Sequence, residues 1–171
     1  MKPSFWHRVD RFARDLTPFA LTFLLMVINT IPFHIPGFAQ VVPLLSLIGI
    51  YFWSVYRPDL MPASAVFLIG LLHDFISGLP LGVSVLVFLL VQGAGIAQRS
   101  FFSGKSFVIV WFGFIIVAAG ALSMEWLLLS ILSGELIQPR SALYQFGLTV
   151  ALFPVLAWML TRWQQAFLQV D

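Results

Sequence analysis

Residues 16–56 read LTPFALTFLLMVINTIPFHIPGFAQVVPLLSLIGIYFWSVY, and none of these 41 residues is Asp, Glu, Lys or Arg. A membrane-crossing helix needs about 20 mostly apolar residues, so the stretch has the length of two. Its middle carries the break. Asn29-Thr30-Ile31-Pro32 and His34-Ile35-Pro36-Gly37 put two prolines and a glycine between the apolar halves, and Pro and Gly end helices. Span 1 is expected over residues 16–33 and span 2 over residues 39–56.

Four more apolar segments follow. Arg57-Pro58-Asp59 is the next punctuation, then span 3 over residues 60–77, with Asp74 inside it. Gly78-Leu79-Pro80-Leu81-Gly82 forms a tight turn into span 4, residues 81–98. A polar link from Arg99 to Lys105 precedes span 5, residues 106–132, and a loop from Ser133 to Arg140 precedes span 6, residues 141–162. The expected fold is an all-α integral membrane protein with six transmembrane helices in one compact bundle. Residues 1–15 form an N-terminal cytoplasmic segment, 16–163 the six-span domain and 164–171 a cytoplasmic tail.

Composition agrees. Only 9% of the 171 residues are charged and 60% are apolar, against roughly 25% charged in soluble domains. So few charges cannot cover a soluble surface, which excludes a water-soluble enzyme, a nucleic-acid binder and a disordered chain. The pI of 9.4 reflects a net charge of only +2. The chain has no Cys, hence no disulfide, thiolate metal site or thiol nucleophile. No small-x-small site follows the first apolar stretch, so a cleaved signal is not expected.

Lys and Arg set the orientation. If six spans alternate, Lys2, Arg8, Arg11, Arg14, Arg57, Arg99, Lys105 and Arg162 share one side, and Arg140 alone takes the other. Both termini are then cytoplasmic. Trp53, Tyr56, Trp111, Trp158 and Trp163 fall near that boundary, and Trp126 and Tyr144 near the opposite one, where amphipathic rings are favoured. Phe5, Val9, Phe12, Ala13 and Leu16 recur at helical spacing between Arg8, Arg11 and Arg14. This reads as an interfacial amphipathic helix, or as a plain basic flank.

Two carboxylates lie inside apolar segments, Asp74 and Glu125. Both are expected toward the outer side, and such groups face protein or water rather than lipid. An aspartyl hydrolase would need the two to share a proton, but Glu125 adjoins Trp126 at a boundary, and a structural or partner-binding role fits Asp74 better. Gly70, Asp74 and Gly78 share a helix face, and glycine permits close helix approach. Gly70, Asp74, Gly78 and Glu125 are therefore the candidates for helix packing or a partner interface. The alternative for Gly78 and Gly82 is that they only shape the turn around Pro80.

His73 and His34 are isolated, and a metal site needs three or four convergent ligands, so no metal is expected. No phosphate loop, nucleophile elbow or zinc-binding His pair is present. The clusters Gly93-Ala94-Gly95 and Ala118-Ala119-Gly120-Ala121 read as close-packing sites. In the cytoplasmic link Arg57, Pro58 and Asp59, Arg57 either anchors to lipid headgroups or is purely topogenic.

The segment Tyr56-Arg57-Pro58-Asp59-Leu60-Met61-Pro62, followed by Gly70-Leu71-Leu72-His73-Asp74 and Gly78-Leu79-Pro80-Leu81-Gly82, resembles the rod shape-determining protein MreD family. An Arg-Pro pair, a Gly-Leu-x-x-Asp segment and a Gly-x-x-x-Gly turn carry the likeness. The resemblance implies a non-enzymatic scaffold of the bacterial inner membrane without cofactors. It implies binding to MreC and, indirectly, to MreB and the RodA/class B penicillin-binding protein synthase, in support of lateral peptidoglycan synthesis. It also implies a fold similar to the substrate-binding subunits of energy-coupling-factor transporters. A small-solute-binding transporter subunit is the alternative; span 1 lacks the Ala-x-x-x-Ala coupling face it predicts.

Overall fold

A computed structural model describes residues 5–31 and 41–167. Pro32, His34, Pro36 and Gly37 of the expected break lie outside the described residues, as do Lys2, Asp171 and the side chains of Phe5 and Arg8. Six α-helices appear among the described residues: α1 (Phe5–Thr30), α2 (Leu45–Tyr56), α3 (Ala63–Ser77), α4 (Val83–Phe102), α5 (Phe107–Ser133) and α6 (Pro139–Phe167). A 3-10 turn, Pro58–Leu60, joins α2 to α3.

α1, α4, α5 and α6 are long and apolar enough to cross a membrane, whereas α2 and α3 are apolar but shorter. At 1.5 Å per residue, the 12 residues of α2 reach about 18 Å and the 15 of α3 about 22 Å, less than a ~30 Å hydrocarbon core. α1 passes the 15/16 boundary without a break, despite Pro18.

α2 is the centre of the bundle. Every residue from Ser46 to Val55 is buried, and the helix packs against α1, α4 and α6. It starts six residues later than the apolar run because Pro43 has no N–H and drives Val42 out of the helical region. The backbone leading into it and its first N–H need partners, because lipid offers no hydrogen bonds. Thr149 Oγ1 accepts the Leu44 N–H at 3.1 Å, Asn29 Oδ1 accepts the Leu45 N–H at 3.4 Å, and Gln145 Nε2 donates to the Val42 carbonyl at 3.1 Å.

The core is aromatic where α2, α5 and α6 meet. Phe114 stacks on Phe153 at 4.2 Å, and Tyr51 leans on Phe114 at 5.2 Å. The Tyr51 hydroxyl bonds Gln98 Oε1 on α4 at 2.9 Å. Proline inside a helix leaves the carbonyl four residues earlier without its donor. In α6, Pro154 does this to Val150, and the Trp111 indole N–H fills the gap at 3.1 Å. Trp111 therefore bonds a neighbouring helix rather than only marking a membrane boundary. Of the small-residue clusters, Gly95 lies against α2, where an added Cβ would come within 2.8 Å of Ser54 Cβ. Gly93 and Gly120 face open space and are not close-packing sites.

Candidate functional site

The polar residues of α3 and α4 converge where the two helices meet at the Gly78–Gly82 turn. Gly78 closes α3 in the left-handed conformation, with φ +67°, and the Asp74 carbonyl accepts the N–H groups of Gly78 and Leu79. Gly82 has φ +105° and is the N-cap of α4. That φ favours glycine, so the position has no side chain with which to cap its own helix.

Asp74 supplies the missing cap from the neighbouring helix. Its carboxylate accepts the Gly82 N–H at Oδ2, 2.8 Å away, and the Ser84 N–H at Oδ1 and Oδ2, 3.0 and 3.2 Å away. Asp74 is fully buried, at 0% exposure. The positive end of the α4 dipole and two N–H donors therefore compensate a carboxylate removed from water. His73 Nδ1 lies 2.9 Å from Ser84 Oγ, which ties the next residue of α3 to the same turn of α4.

Gly70 makes this distance possible. A Cβ there would lie 2.7 Å from Val85 Cα and 2.9 Å from Val85 N. α3 therefore touches the backbone of α4 one turn before Asp74. Gly78 and Gly82 have nothing within 4 Å of such a Cβ; they shape the turn and do not abut a helix. Two turns deeper in α4, Gln92 Nε2 donates to the Met61 carbonyl at 2.7 Å, fastening α4 to the link before α3.

Glu125 on α5 is also buried, at 8% exposure. Its situation is different. Glu125 Oε2 has no hydrogen-bond partner among the described residues, as is also true of Trp53 Nε1, Ser46 Oγ and Ser130 Oγ. At the other end of α3, Arg57 and Asp59 form an exposed pair at 3.6 Å, and Pro58 opens the 3-10 turn between them. Among the described residues no group of three or more His, Cys, Asp or Glu could hold a metal ion.

The constellation fastens two helices; its one hydroxyl beside an imidazole, Ser84 Oγ next to His73 Nδ1, is buried between them. Ser84 and Gln92 escape a search for charges because both are neutral. The signal available for Gln92 is its isolation in the apolar stretch 85–97 of that helix. Ser84 carried a fainter one, its place at the second position of a helix whose N-cap is glycine.

A family profile described as rod shape-determining protein MreD matches residues 11–170, nearly the whole chain. The chain belongs to the MreD family. It is accordingly a membrane protein of a shape-determining family, one not known for enzymes. The Arg57-Pro58 pair, Gly70, Asp74 and the Gly78–Gly82 turn all lie within the MreD match. No curated protein and no solved structure matches the chain.

Proposed function

We propose that this MreD-family protein is a non-enzymatic scaffold of the bacterial cell-elongation machinery. It holds MreC in the inner membrane, and through MreC it supports MreB, the RodA/class B penicillin-binding protein synthase and lateral peptidoglycan synthesis. All six helices cross the membrane, the short α2 at the buried centre of the bundle, and both termini are cytoplasmic. The observation that carries the reading is the use of Asp74. The best-placed carboxylate of the apolar region is spent on joining α3 to α4, as a rigid docking platform requires. Gly70 and Gly78 serve the same joint. Glu125, buried on α5 with an oxygen the described residues leave unpaired, takes no part in that joint.

A solute-binding transporter subunit would need an open polar pocket at Asp74 and Glu125, and both are closed off by packing. Affinity purification from native membranes tests the choice. Recovery of MreC is the expected result. Recovery of an ATPase with its membrane coupling subunit, without MreC, would overturn the reading in favour of the transporter subunit.

A further inference from the structure

The end of the bundle that carries Arg11, Arg14 and Arg57 also contains a groove of about 660 Å³ between α1 and the start of α3. Its walls are apolar and include Phe12 and Leu16 of α1 and Ala65 and Leu68 of α3. Phe12, Leu16 and Leu68 are exposed. Asp15 and Asp59 also line it. Asp59 meets Arg57 only in an exposed pair at 3.6 Å, a geometry that holds charge weakly. Asp15 has no ion-pair partner among the described residues.

The sign of these two charges selects the occupant. They oppose the surrounding arginines, so the groove repels the phosphate headgroups that the arginines attract. Its apolar walls do not suit a soluble cation. A helix with an apolar body and a basic end satisfies both surfaces. Membrane helices acquire such ends from the positive-inside rule, at the level where the apolar parts of α1 and α3 begin. We propose that this groove receives the membrane-spanning helix of a partner whose flank carries Lys or Arg opposite Asp15 and Asp59. The assignment rests on the scaffold reading above and adds its contact surface.

A photo-crosslinking residue at Leu68 or Leu16, in membranes containing MreC, tests it, with Ile116 on the exposed face of α5 as the control site. The expected adduct at Leu68 and Leu16 lies in an apolar segment of MreC within two helical turns of a Lys or Arg. Asp15→Lys with Asp59→Lys lowers its yield about fivefold, the factor two exposed ion pairs supply together. Reversing the partner's basic flank to Glu restores the yield. Adducts to a second copy of this chain, or to phospholipid alone, would overturn the proposal. So would MreC adducts at Ile116 only while MreC still co-purifies, an outcome that spares the scaffold reading. If MreC fails to co-purify with the unmodified protein, it is the scaffold reading that falls.

Discussion

Asp74 and Glu125 are the same chemistry in the same bundle, and the fold treats them oppositely. Asp74 has both oxygens filled by backbone donors at the start of α4. Glu125 Oε2 has no partner among the described residues. A buried carboxylate is thus not a role in itself. The donors within reach decide whether it joins two helices or stays unpaired within the packing.

Substitutions at four positions break or sharpen the contrast. The largest effect belongs to Asp74→Ala, which leaves the Gly82 and Ser84 N–H groups without an acceptor. Thermal unfolding in detergent is expected to lose about 3–5 kcal/mol. Asp74→Asn keeps an acceptor and loses less. If Asp74→Ala instead unfolded like the parent protein, the cap would carry no stability and the contrast would collapse. Next comes Gly70→Ala, whose methyl group must push against the Val85 backbone. About 2–3 kcal/mol is expected, with α4 moved off the carboxylate. Combining it with Asp74→Ala should give less than the sum, because both act on one contact.

Trp111→Phe sets the scale of one neutral bond. It strands the Val150 carbonyl beside Pro154 and is expected to cost about 1–2 kcal/mol, well below Asp74→Ala. The smallest effect is that of Glu125→Gln. With no bond at Oε2 to lose, the unfolding midpoint should move by the equivalent of under about 1 kcal/mol. A loss as large as that of Asp74→Ala would show Glu125 to be structural too.

Much of this was legible in the amino-acid order, and for physical reasons. Charge is so costly in lipid that its distribution outlines the helices, and Pro58, Pro62 and Gly78 punctuate α3 close to where it begins and ends. The Gly70, Asp74 and Gly78 spacing marked the corner that the fold builds. What Asp74 binds was hidden, because its partners are backbone N–H groups and every residue type but proline carries one. The late start of α2 was hidden for another reason. Thr149 and Gln145 satisfy the chain at residues 42–44 from more than 100 positions away. Trp111 and Pro154 stand 43 positions apart, and nothing in either residue names the other.

The reach of the Asp74 cap along the chain has a consequence for how the protein is made. Gly82 and Ser84 follow Asp74 by eight and ten residues, and Gly70 precedes it by one helical turn. The carboxylate therefore finds its donors within the α3–α4 hairpin alone and needs none from α5 or α6. A charge that is costly in a lone apolar segment thus has its hydrogen-bond donors on the segment that follows. A two-helix hairpin can thus be made and inserted with its costliest residue already compensated from within.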